Sequence, residues 1–177
     1  MEKPVNYVCI LIGPPGCGKS TFAKTLGGKI FETDAYPNLY SPKGIIDFKK
    51  LKSAHEWNLA EFGKGAKSAD PILIQSNTNL HPPHMINYLE IAKKFGYRVR
   101  IILPSNDLLY YPHNFNSAEQ IETMVKVRSV GPKIIPADTI RKMCDDFLKT
   151  KKFVEQYKNE NEDPLVWIER IQKTYSC

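Results

Sequence analysis

Gly13-Pro14-Pro15-Gly16-Cys17-Gly18-Lys19-Ser20 fits the spacing G-x-x-x-x-G-K-[ST], with Gly13, Gly18, Lys19 and Ser20 at the fixed positions. Ahead of it, Tyr7-Val8-Cys9-Ile10-Leu11-Ile12 is a largely apolar run of strand length. Behind it, Ser20-Thr21-Phe22-Ala23-Lys24-Thr25-Leu26 carries helical spacing. A strand, a glycine-rich turn and a helix in this order make a phosphate-binding loop. Its glycines let the backbone bend so that successive N–H groups turn toward phosphate oxygens at the positive end of a helix. Residues Gly13, Pro14, Pro15, Gly16, Cys17, Gly18, Lys19, Ser20 and Thr21 are therefore expected to cradle a nucleoside triphosphate, taken as ATP. Lys19 is expected to reach the outer phosphates, and the Ser20 hydroxyl to ligate Mg²⁺. The competing reading is a strand-to-helix turn that binds nothing; the presence of both flanking elements argues against it.

Working outward, apolar strands alternate with helical segments, as in a parallel sheet covered on both faces. A short strand around Lys29–Thr33 ends at Asp34, and a turn-rich stretch from Tyr36 to Gly44 follows. Asp47 is placed to cap a helix with Phe48, Leu51, His55, Leu59 and Phe62 on one face. Pro71–Gln75 forms a third strand, closing in Ser76-Asn77-Thr78-Asn79. Pro82-Pro83 opens the next helix, Gly96 ends it, and Tyr97–Leu103 is a fourth strand. Beyond an irregular aromatic stretch, Ser117 caps a helix through about Arg128, and Pro136 starts another with Ile140, Met143, Cys144, Phe147 and Leu148. A polar stretch, 150–162, has the composition of a flexible connection. An amphipathic helix follows from Asp163-Pro164, with its apolar stripe (Leu165, Ile168, Ile171) facing either its own core or a second subunit. The expected fold is a three-layer α/β P-loop NTPase or kinase with a central parallel sheet and a helical lid. It forms one domain over 1–177, with a core over about 5–150 and a C-terminal helix over about 163–176.

No apolar run reaches membrane-spanning length, so no membrane partner is expected. The chain moves almost directly from Met1 into its first strand, which leaves no room for a leader and favours an intracellular protein, cytoplasmic or nuclear. The four cysteines form no C-x-x-C pair, and a reduced compartment suits them better than a disulfide framework. Cys17 lies in the phosphate loop, where a positive field is expected to acidify its thiol. A net charge of +6 accommodates a polyanionic partner, although lysines such as Lys49, Lys50 and Lys52 also suit a solvated helix face.

Four landmarks in order carry a resemblance: the loop at 13–20, Thr33-Asp34-Ala35-Tyr36, Ser76-Asn77-Thr78-Asn79-Leu80, and Gly131-Pro132-Lys133-Ile134-Ile135-Pro136-Ala137-Asp138-Thr139-Ile140. The chain resembles the kinase domain of phage-type polynucleotide 5′-hydroxyl kinases and the P-loop modules grouped with them. The resemblance spans residues 5 to about 150. It implies that Asp34 is the general base on the acceptor hydroxyl. The physical argument agrees, because ligands bind at the carboxyl ends of strands in a doubly wound sheet.

The chain departs from that family at three places. Pro37 stands where the family has an arginine for the acceptor phosphate, with Lys43 as a candidate substitute. Asn77 stands where relatives carry an acidic residue that helps hold Mg²⁺. In the lid the register gives Lys126-Val127 and Val130, leaving Lys126 and Arg128 as candidate cations for the transferring phosphoryl. No Asp-x-Asp-x-Thr phosphatase pattern occurs. None of the four histidines begins a His-x-Thr pattern, and His55 is expected to pack on its helix face. The aromatic run Tyr110–Phe115 has the composition either to stack a base or to anchor a lid. The leading expectation is ATP-dependent transfer to the 5′-hydroxyl end of DNA or RNA. Two alternatives stay open: a small-molecule kinase for a nucleoside or metabolite alcohol, and a nucleotide-binding interaction module with weak or no transfer.

Overall fold

The structure is a computed structural model that describes residues 4–103, 117–119, 121–123, 134–157 and 162–175. Strand β1 (Tyr7–Leu11) runs into the loop and helix α1 (Lys19–Thr25), followed by β2 (Lys29–Phe31). Helix α2 (Phe48–Lys67), β3 (Ile72–Gln75), α3 (Ile86–Phe95) and β4 (Arg98–Ile102) follow. Helices α4 (Ala137–Glu155) and α5 (Pro164–Tyr175) end the described chain. All strand pairs are parallel, in the order β2-β3-β1-β4, with β1 against β3 (Tyr7 opposite Ile72) and against β4 (Tyr7 opposite Arg98).

The period-two alternation of strand side chains divides the core between the two faces of this sheet. Val8, Ile10, Leu73 and Val99 enter one cluster with Phe62 of α2, Leu89 of α3, Phe147 of α4 and Trp167 of α5. Cys9, Leu11 and Ile74 point the other way and pack with Phe22, Ala23 and Leu26 around α1. Helices on both faces of a parallel sheet give the three layers expected from the sequence. Because β1 is central and buried on both sides, the loop at its carboxyl end is held by the most rigid part of the molecule.

Helix α2 begins as expected. The Asp47 carboxylate accepts the Lys49 N–H at 3.1 Å, satisfying one of the first-turn donors. Its buried face, however, is Ala54, Asn58, Phe62, Gly65 and Ala66. The expected stripe diverges from this face at its N-terminal end, where Phe48 is 71% exposed. That end of the helix projects past the sheet and borders a cavity instead of the core.

Gly96 ends α3 in the left-handed conformation at φ 72°, as expected for a glycine C-cap. The segment expected to begin a flexible connection at 150 is instead the last part of α4. Thr150, Phe153 and Val154 are buried there, and the Thr150 hydroxyl donates to the Leu80 carbonyl at 2.6 Å. Polar composition misled because α4 buries only one stripe. Helix α5 covers its own core: Trp167, Ile168 and Ile171 are buried, and α5 packs on α3. The expected lid cations Lys126 and Arg128, and the aromatic run Tyr110–Phe115, lie outside the described residues.

Candidate functional site

The phosphate loop leaves β1 at its carboxyl end, where the Ile12 N–H still donates to the Ile102 carbonyl at 2.9 Å. The Gly13 N–H donates to the Thr78 carbonyl at 3.0 Å, tying the loop to the end of β3. Gly16 at φ 75° and Gly18 at φ 89° occupy the left-handed region, which a Cβ would disfavour at both bends. Gly13, Pro14 and Cys17 form the buried underside, while Pro15, Gly16, Lys19 and Ser20 line a cavity of about 350 Å³. Gly18 caps α1 with no side-chain hydrogen bond, and the first turn holds no acidic residue, so no fixed anion competes there for phosphate. Thr21 is exposed on that turn.

Lys19 folds back on its own loop. Its Nζ donates to the carbonyls of Gly13 at 2.8 Å and Pro14 at 3.0 Å, and lies 3.7 Å from the Cys17 Sγ. The ammonium group is thereby held at the loop until phosphate oxygens offer it better partners. Cys17 is only 2% exposed, so its thiol is shielded from solvent oxidants.

The end of β2 supplies the opposite wall. The Ser20 hydroxyl donates to Glu32 Oε1 at 2.8 Å. Sequence reasoning passed over Glu32, yet a signal was there: Glu32 and Asp34 are two residues apart at a strand end. Asn77, weighed as a weakened metal-holding residue, does something else. Its side-chain oxygen accepts the Thr33 N–H at 2.8 Å, clasping the ends of β2 and β3 together. The carboxylate nearest the loop hydroxyl thus comes from β2 rather than β3. Ser20 and Glu32 offer hard oxygen donors of the kind Mg²⁺ takes alongside substrate phosphates, so the residues present fit that ion.

Asp34 sits on a single 3-10 turn, Thr33–Ala35, and lines the same cavity as Lys19 and Ser20. Tyr40 donates its hydroxyl to Asp34 Oδ1 at 2.7 Å. Burial, together with that hydrogen bond and the carboxylate charge, holds the Tyr40 hydroxyl above its ordinary pKa, so it remains a donor. His55 was expected to pack on its helix face but stands on the cavity wall, its Nδ1 3.2 Å from the Thr33 hydroxyl. Partial burial lowers its pKa while the charge of Asp34 pulls the other way. Lys43 and Pro37 are exposed and do not line the cavity. An apolar wall that sequence reasoning missed completes the site: Ile46, Phe48 and Leu51 on one side, Ile135, Pro136 and Met143 on the other. The Ile134 N–H donates to the Gly44 carbonyl at 3.0 Å, joining the two sides at the mouth.

A family model described as AAA domain matches residues 8–109, more than half of the chain. The chain belongs to this AAA-domain family. Within it, the chain is similar to a shikimate kinase from Corynebacterium efficiens, 24% identical over 172 residues that cover 82% of this chain and all of that protein. It is also 29% identical to the spermidine/putrescine import ATP-binding protein PotA of Onion yellows phytoplasma over 71% of this chain, spanning about a third (33%) of that relative's length. Among solved structures, a shikimate kinase from Acinetobacter baumannii in complex with shikimate aligns with a TM-score of 0.47 at 14% identity, covering 97% of this chain and 94% of that one. Deoxyadenosine kinase from M. mycoides with bound dATP aligns at 0.44 and 17%, covering 96% of this chain and 100% of that one. The family match and the P-loop geometry support a kinase-like P-loop protein with a nucleotide site. Among the described residues, no helix is long and apolar enough to cross a membrane.

Proposed function

We propose that this AAA-domain protein transfers the γ-phosphoryl group of ATP to the hydroxyl of a small molecule. The observation that carries the reading is that Asp34 lines the same cavity as Lys19 and Ser20. A phosphate-binding loop alone would support binding or hydrolysis. A carboxylate facing that loop across a cavity supports an alcohol as the attacking group.

The acceptor oxygen attacks the γ-phosphorus in line, the bond to the β–γ bridging oxygen breaks, the hydroxyl proton passes to Asp34, and ADP leaves. Tyr40 fixes the orientation of that carboxylate through its 2.7 Å hydrogen bond. Lys19 exchanges its loop carbonyls for phosphate oxygens and neutralises charge as it moves to the leaving group. Ser20 and Glu32 would hold Mg²⁺, which when bound draws charge from the phosphate oxygens.

A polynucleotide 5′ end is the second reading, favoured by the +6 net charge and the ordered motifs. A single-turnover assay with γ-labelled ATP, run against nucleosides, metabolite alcohols and 5′-hydroxyl oligonucleotides of increasing length, decides between them. Label on monomers with no gain from length supports the small-molecule reading; efficiency rising with length supports the polymer. ATP binding without label on any acceptor overturns both.

A further inference from the structure

We infer that the acceptor is an uncharged alcohol with an apolar or aromatic body, seated against Phe48, Leu51, Ile135 and Met143; this rests on the small-molecule reading above. The charged groups among the described lining residues are Lys19, Glu32 and Asp34. Lys19 is bound to its own loop and belongs to the triphosphate. The acceptor end therefore presents two carboxylates and no cation of its own. A phosphate or carboxylate on the acceptor would approach like charges with no partner, an arrangement that strongly disfavours binding. The basic excess of the chain lies elsewhere; Lys43, the nearest sequence candidate for an anion contact, does not line the cavity.

The apolar wall gives the positive half of the argument. Phe48 at 71% and Ile134 at 63% exposure are large hydrophobic side chains left open at the mouth of the cavity. They stand on separate segments that the Ile134–Gly44 backbone hydrogen bond brings together. Two apolar surfaces facing each other across a small space suit a flat ring or an alkyl body better than a hydrated ion. The only polar chemistry required is one hydroxyl at Asp34. The transfer step is the one already written, with the proton going to Asp34 and ADP departing.

The test uses matched acceptors that differ only in charge: a nucleoside, and the same nucleoside bearing a 3′-monophosphate, each with its 5′-hydroxyl free. With the full chain, ATP and Mg²⁺, the nucleoside should show kcat/KM about 10-fold or more above the monophosphate, as expected for unscreened like charges. Phe48→Ala should raise the nucleoside KM about fivefold while the KM for ATP stays within about twofold, because the lost contact is an apolar one at the acceptor end. Leu51→Lys, which adds a cation to the wall, should narrow the ratio between the two acceptors. Equal or better use of the monophosphate, or an acceptor KM untouched by Phe48→Ala, overturns the inference and leaves phosphoryl transfer standing. If no acceptor gains label, the transfer reading fails. Saturation-transfer NMR with a nonhydrolysable ATP analogue then judges the inference. Nucleoside binding that weakens with the 3′-phosphate and with Phe48→Ala supports it; absence of nucleoside binding overturns it.

Discussion

The two walls of the cavity are built on opposite principles. The phosphate wall is eight contiguous residues whose spacing is fixed by backbone geometry: two left-handed glycines, and a lysine returned to its own loop carbonyls. The acceptor wall is assembled from residues 46–51 and 134–143, which are distant in sequence and meet only in the fold. The first is backbone chemistry, which tolerates little change and is shared across many proteins. The second is side-chain chemistry, free to vary with the acceptor. The largest expected effects lie where the two walls meet. Asp34→Asn should lower kcat by about 10²- to 10⁴-fold, the usual contribution of a positioned base, with ATP affinity preserved. Lys19→Ala should lower transfer as severely and weaken ATP binding as well. Isothermal titration with an ATP analogue beside single-turnover rates separates them, and an active Asp34→Asn variant would remove the proposed base.

This contrast explains what could be read from the residues alone. The loop, the alternation of elements and the caps at Asp47 and Gly96 are local, and local patterns survive in sequence. Asp34 was reached through its place at a strand end. Glu32 was missed because its role depends on α1 turning Ser20 toward it, a tertiary fact. Asn77 was misjudged for the same reason: the Thr33 N–H that occupies its oxygen comes from a neighbouring strand. The acceptor wall was hidden most deeply. Phe48, Leu51 and His55 continue the helical stripe that ends in Phe62, and spacing cannot tell a stripe that packs on a core from one that borders a cavity.

Helix α2 itself offers the next comparison. Phe62 is fully buried, meeting Phe31 and Tyr88 edge-on at ring separations of 5.2 and 5.0 Å. Phe62→Ala should cost about 3–5 kcal/mol of folding stability. Phe48→Ala, at a mostly exposed position, should change it by less than about 0.5 kcal/mol. Urea denaturation followed by circular dichroism reads both. Comparable losses would mean that Phe48 belongs to the core and not to the site.

A smaller effect tests the metal half of the phosphate wall. Glu32→Gln keeps a hydrogen-bond acceptor for the Ser20 hydroxyl but removes the charge. The Mg²⁺ concentration giving half-maximal nucleotide binding should rise about 10-fold, in keeping with the loss of a supporting carboxylate. Fluorescent-nucleotide titrations at several Mg²⁺ concentrations measure this without any turnover. An unchanged Mg²⁺ dependence would return the metal-holding role to a residue outside β2.

The smallest effect compares a histidine on the cavity wall with one away from it. Burial lowers the pKa of both His55 and His84. At His84 the neighbouring His81 and His55 push in the same direction, whereas at His55 the charge of Asp34 opposes burial. A histidine with a depressed folded pKa binds fewer protons in the native state than in the unfolded one. Its penalty is therefore absent at neutral pH and grows as pH falls below the unfolded value of about 6.5. Thermal midpoints between pH 7.5 and 5 should thus decline with acidity, and His84→Gln should flatten that decline more than His55→Gln. The ordering isolates the field of Asp34, because that carboxylate is the group that offsets burial at one site and not at the other. Removing it in Asp34→Asn should make His55 behave like His84, steepening the acid decline. If the slope is unmoved, the carboxylate is not directed toward His55, and its assigned place on the acceptor side of the cavity fails with it.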